Sequence, residues 1–123
     1  MPENLTILLV EDDEDTRYVM RLELERRGYR VIEAEDGEKG VELALGECAD
    51  IILMDLSLPG IDGLEATKRI RNDGRMRRVP VVAVTAHQET DFREGAKASG
   101  FDAYVTKPID FDCLSELLTG LIG

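Results

Sequence analysis

Apolar runs of four to six residues alternate along the chain with longer stretches in which apolar residues recur at helical spacing. Leu5–Val10 (LTILLV) is almost continuously apolar, as a strand buried on both faces of a sheet must be. Acidic residues then open a helical stretch that closes at Gly28; its apolar positions, Val19, Met20, Leu22 and Leu24, are loosely periodic. YRVIEA (29–34) predicts a second strand, and Val41, Ala44 and Leu45 a short helix with Asp36 as its cap. Asp50–Met54 predicts the third strand. Asp62 and Glu65 then have the spacing of a capping box, with Asp in place of Ser or Thr, and start a helix near Gly63. VPVVAVT (79–85) predicts a fourth buried strand. Residues 88–99 follow as a polar helix anchored chiefly by Phe92 and Ala96. FDAYVT (101–106) predicts the fifth strand, and Leu114, Leu117, Leu118 and Leu121 form the apolar stripe of a last helix.

Five strands alternating with five helices imply an α/β fold, a parallel sheet covered on both faces. The expected arrangement is one flavodoxin-like domain over residues 1–123 with strand order 2-1-3-4-5 and no output domain in this chain. A chain of 123 residues with 43% hydrophobic content is of the size and composition to build one core. The start, MPENLTILLV, has neither the basic region of a signal peptide nor the length of a membrane span, so the expectation is a cytoplasmic protein without a membrane partner. Cys48 and Cys113 match no metal-binding spacing and read as reduced thiols. His87 is the single histidine, which argues against a His-rich metal site or a Ser-His-Asp triad.

The net charge of −11 argues against direct binding of DNA or RNA. Residues 68–78, KRIRNDGRMRR, nevertheless hold six of the fifteen basic residues. Two readings stand: a solvated helix end, where cations meet the negative pole of the dipole, or a docking patch for an acidic partner. The first is favoured on sequence.

In a doubly wound sheet, function gathers at the carboxyl ends of the strands. Strand one ends in Glu11-Asp12-Asp13, strand three in Asp55 and strand four in Thr85, and strand five is followed by Lys107. Each has an ordinary alternative: the acidic run can serve a helix N-terminus, Asp55 a cap, Thr85 a strand end and Lys107 a solvated turn. Their joint placement on four strand ends is what capping alone does not explain. Clustered carboxylates need a counter-charge, and an all-oxygen donor set suits Mg²⁺ or Mn²⁺. A carboxylate can also attack phosphorus to give an aspartyl phosphate. Lysine, hydroxyl and backbone N–H groups after strands three and four, that of Ala86 among them, would hold the phosphoryl oxygens.

Through these strand-end residues the chain resembles the receiver domain of bacterial two-component response regulators. The motifs are ILLVEDDED, IILMDLSLPGIDG, VVAVTA and AYVTKP, in the family's order and over essentially the full length. The resemblance implies that Asp55 takes a phosphoryl group from a histidine kinase or phosphotransfer protein. It further implies that Asp12 and Asp55 ligate Mg²⁺ directly, Glu11 through water, and Ser57 by its backbone carbonyl. Lys107 would pair with phosphoryl oxygens, with Lys107-Pro108 typically cis in relatives. Thr85 would move toward the phosphoryl group and draw Tyr104 inward, altering the surface formed by the fourth helix, fifth strand and fifth helix. That surface would meet a downstream protein target and can support phosphorylation-dependent dimers. Ser57 and His87 would border the path of the attacking water and tune dephosphorylation, and Asp13 would start the first helix. The family is a signalling phosphoacceptor rather than an enzyme acting on a separate substrate, and promotes its own phosphorylation and slow dephosphorylation.

Other classes fit less well. A flavodoxin needs a hydroxyl- and Gly-rich phosphate loop where this chain has EDDED, and a haloacid-dehalogenase-like hydrolase needs Asp where Ser57 stands. Residues 11–17 lack the glycine of an EF-hand loop, and no GxxxxGK[ST] is present. An interaction module of receiver architecture that works without phosphorylation remains the rival reading.

Overall fold

The computed structural model describes residues 5–47, 49–85 and 100–122. The apolar runs form strands β1 (Thr6–Val10), β2 (Arg30–Ala34), β3 (Ile51–Asp55), β4 (Val81–Thr85) and β5 (Ala103–Thr106). They pair in parallel in the order β2-β1-β3-β4-β5, the flavodoxin-like order expected. The three inner strands are buried at every position, whereas the edge strands β2 and β5 carry exposed or half-buried residues. Burial on both faces explains why the inner strands read as unbroken apolar runs and the edges do not.

Alternate strand residues serve opposite faces. Leu8, Val10, Ile52, Met54, Val81 and Ala83 pack with helices α2 (Gly37–Gly46) and α3 (Gly63–Arg71), through Ala44, Ala66 and Ile70. Ile7, Leu9, Ile51, Leu53, Val82 and Val84 pack with α1 (Glu14–Arg26) and α4 (Phe111–Ile122), through Met20, Leu24, Leu114 and Leu118. Each such fully buried Leu, Ile or Met is worth about 2 kcal/mol in area removed from water. Of the apolar positions read in α1, only Met20 and Leu24 face the core; Val19 is 49% and Leu22 38% exposed. The loose periodicity of that segment reflects two apolar residues that point outward.

Aspartates start the helices, each taking an otherwise unpaired N–H of the first turn. Asp13, Asp36 and Asp62 accept from the backbone N–H groups of Thr16, Lys39 and Glu65. Asp110 does the same for Asp112 and Cys113 at α4. Gly28, at φ +95°, ends α1, with its N–H bonded to Glu25 O and that of Tyr29 to Leu24 O. The strands start or end one to two residues from the sequence expectation, β3 running to Asp55 itself. The helix expected over 88–99, with Phe92 and Ala96, lies outside the described residues, as do Cys48, Ala86 and His87. Cys113 is exposed and unbridged. Among the described residues, no helix is long and apolar enough to cross a membrane.

Candidate functional site

Strand register brings the site together. Val10 pairs with Met54, so Glu11 and Asp55, the next residue on each strand, leave the sheet side by side. Asp55 pairs with Val84 and Thr85 with Thr106, which brings Thr85 and the start of the Lys107 turn to the same edge. Glu11 and Asp55 are buried, 1% and 3% exposed, and share one ammonium group. Lys107 Nζ lies 2.9 Å from Glu11 Oε1 and 3.1 Å from Asp55 Oδ2. The remaining carboxylate oxygens are held by backbone: Asp13 N–H donates to Glu11 Oε2 at 3.0 Å, and Ser57 N–H to Asp55 Oδ1 at 2.9 Å.

Two residues to which the sequence assigned no role at the site shape this arrangement. Arg17, one turn into α1, donates from Nη1 to the Glu11 backbone oxygen at 2.8 Å and reaches Glu33 on β2 with Nε. It thereby ties the acidic loop to the edge strand. Its sequence signal was its place four residues after the cap Asp13, on the same side of the helix. Gly63 is the second. A Cβ there would sit 2.3 Å from the Asp55 carbonyl oxygen and 2.9 Å from Leu56 Cα, so only glycine lets the first turn of α3 approach the end of β3. The glycine after a capping aspartate, near the expected start of α3, was the available sign.

The electrostatics are lopsided. Burial raises the Glu11 carboxyl to about 7, and the nearby Asp55 adds to the rise, against the opposing hydrogen bonds from Lys107 and Asp13 N–H. Burial by itself would lower the Lys107 ammonium, but the Glu11 hydrogen bond and the Asp55 charge outweigh it and hold it above its ordinary value. One cation thus serves two buried carboxylates, and the exposed Asp12 adds a third. Carboxylate oxygens of Glu11, Asp12 and Asp55 lie within 4.8 Å of one another. An under-neutralised, all-oxygen set of this kind fits a hard divalent cation.

Of the other expected site residues, Thr85 is buried at the end of β4, 2% exposed. Ser57 follows with an exposed side chain and its N–H engaged by Asp55. Tyr104, opposite Ala83 on the edge strand, is 37% exposed. Ala86 and His87 cannot be placed, being outside the described residues. Asp13 caps α1 as expected, and the Lys107–Pro108 peptide bond is cis.

Comparison with known proteins places this geometry in a family. The model of the response regulator receiver domain matches residues 7–119. Protein PilH of Pseudomonas aeruginosa is 37% identical over 118 residues, which cover 95% of this chain and 97% of PilH. The polar-differentiation response regulator DivK of Brucella anthropi is 35% identical, covering 96% of each chain. Among solved structures, the receiver domain of a Pseudomonas aeruginosa sensor histidine kinase, with a magnesium ion coordinated in its active-site cleft, superposes with a TM-score of 0.92. It is 38% identical, and the match covers 98% of each chain.

Proposed function

The chain belongs to the response regulator receiver domain family of two-component signalling, and from that premise we propose that Asp55 is its phosphoacceptor. The observation that carries this reading is the pair of buried carboxylates, Glu11 and Asp55, sharing the single ammonium of Lys107. An Asp55 carboxylate oxygen forms a bond to phosphorus while the phosphorus–nitrogen bond of a phosphohistidine breaks, and the departing imidazole takes up a proton. The donor is a histidine kinase or a phosphotransfer protein. An apolar groove beside Lys107, lined by Val19, Met20, Pro108, Ile109 and Phe111, offers such a partner a surface next to the site.

Asp12 and Asp55 would hold Mg²⁺ directly, with the Ser57 carbonyl, and Glu11 through water; Mn²⁺ suits the same oxygens. When bound, the cation supplies neutralisation of the crowded carboxylates and of the incoming phosphoryl charge. Lys107, already on Asp55 Oδ2, would take a phosphoryl oxygen once that carboxylate has become an acyl phosphate. The Thr85 hydroxyl and the Ala86 N–H take others. Thr85 and Tyr104 lie on adjacent strands, so a shift of the first can be followed by the second, changing the surface of residues 88–99, β5 and α4 that meets a downstream target or a second copy. Ser57 and His87 set how readily water reaches the phosphoryl group. The expected setting is cytoplasmic, without membrane or direct nucleic-acid binding.

Intact mass after incubation with acetyl phosphate, with and without Mg²⁺, tests the reading on wild type and Asp55→Asn. One added phosphoryl group that needs Mg²⁺ and vanishes in the variant is expected. No addition, despite measurable Mg²⁺ binding, would instead favour an interaction module that works without phosphorylation.

A further inference from the structure

The basic run 68–78 resolves into two parts once the helix end is fixed. A helix dipole acts over the last turn only, and α3 ends at Arg71, so it accounts for Lys68, Arg69 and Arg71 but not for Arg75, Arg77 and Arg78. Arg71 is moreover turned inward. Its guanidinium donates to the backbone oxygens of Met76, Arg77, Val79 and Gly100 and to Asp102. That clamp, with buried Met76 beneath it, fixes the turn on which Arg77 and Arg78 stand outward. Arg69 and Arg75 have acidic neighbours, Glu65 and Asp73. Lys68, Arg77 and Arg78 are exposed and make no side-chain hydrogen bond or ion pair among the described residues.

We infer that Lys68, Arg77 and Arg78, with Arg69 and Arg75 around them, form a docking surface for an acidic protein segment. Charge complementarity argues for that occupant: eleven residues hold six cations and one carboxylate on a chain whose net charge is −11. Lys68 and Arg69 stand on α3 and Arg77 and Arg78 on the turn clamped by Arg71, so it is the side chains rather than the backbone that are ordered on binding. The surface is separate from the phosphoacceptor site. In a parallel sheet the turn before β4 and the end of β3 are at opposite edges, so the two can be occupied together. The run carries no aromatic residue on which bases could stack, which favours a peptide over a nucleic acid.

The test is fluorescence anisotropy with labelled decaglutamate and labelled oligo-dT at about 50 mM salt, where surface charge is less screened than at physiological salt. Wild type is set beside Lys68→Gln/Arg77→Gln/Arg78→Gln and the charge-matched control Arg26→Gln/Arg30→Gln/Lys39→Gln. The patch variant should lose peptide affinity by about tenfold and the control by less than about twofold, the order expected for three screened ion pairs. Thermal melting and acetyl phosphate labelling report that both variants are folded. Equal losses in the two variants, or no binding by wild type, would overturn the inference. So would tighter capture of oligo-dT through the same residues, which would make a nucleic acid the ligand.

Discussion

Two cations tie carboxylates at opposite edges of the same sheet, and their surroundings differ in one respect. At the amino-terminal edge, Arg71 meets a single carboxylate, Asp102, at 2.8 Å, and spends its other donors on backbone carbonyls. The same Asp102 oxygen accepts the Val81 N–H at 2.8 Å, so α3, β4 and the start of β5 are joined by a balanced pair. At the carboxyl edge, Lys107 faces two buried carboxylates with a third close by. The first cluster is charge-matched and holds the fold. The second is left short of positive charge, which costs stability in the free domain and suits it to a divalent cation.

The sharpest way to break this contrast is to remove the balanced cation. Arg71→Ala should lower stability to urea by about 3 kcal/mol, the scale for unpairing a partly buried ion with several hydrogen bonds. Its Mg²⁺ affinity should stay unchanged. A loss below about 1 kcal/mol would reduce the clamp to an ordinary surface pair.

The next effect is one of pH. Glu11 titrates near 7 in the folded chain against 4.5 as its ordinary value, so the folded state holds this proton more tightly. The resulting stability is present below about pH 4.5 and is lost as pH rises through about 7. In EDTA, wild type should therefore lose about 2 kcal/mol relative to Glu11→Gln between those limits. Saturating Mg²⁺ should remove the difference. Urea midpoints across pH measure it, and parallel profiles for the two proteins would contradict it.

Smaller, and opposite in sign at the two edges, are the effects of neutralising one carboxylate. Asp55→Asn should raise stability in EDTA by about 1 kcal/mol, since it relieves a crowded cluster. Asp102→Asn should lower it by about the same amount, since it leaves Arg71 short of a partner. Thermal melts of both variants decide the matter, and destabilisation by both would erase the distinction between the edges.

Much of this could be read before any coordinates. Strands buried on both faces leave long apolar runs, so β1, β3 and β4 were legible, and parallel order alone sends Glu11, Asp55, Thr85 and Lys107 to one edge. What escaped has a common physical cause. Arg71 sits in a run of cations that looks like a solvated helix end, and composition cannot say which member of such a run turns inward. Arg17 and Gly63 act on backbone, through the Glu11 carbonyl and the close approach to Asp55, and such contacts leave at most a weak sign in residue type. Val19 and Leu22 misled in the other direction, since an apolar residue facing outward is indistinguishable in sequence from one facing the core. The basic run gains its second reading only once α3 is seen to end at Arg71.

The contrast between the two edges is decided by calorimetric titration of Mg²⁺ into wild type, Asp12→Asn and Asp102→Asn. One site is expected in wild type, with an affinity at least about tenfold weaker in Asp12→Asn, the scale for loss of a direct carboxylate ligand, and an unchanged affinity in Asp102→Asn. Equal affinities in all three, or no binding by wild type, would contradict the claim that the carboxyl edge is short of the charge a metal supplies.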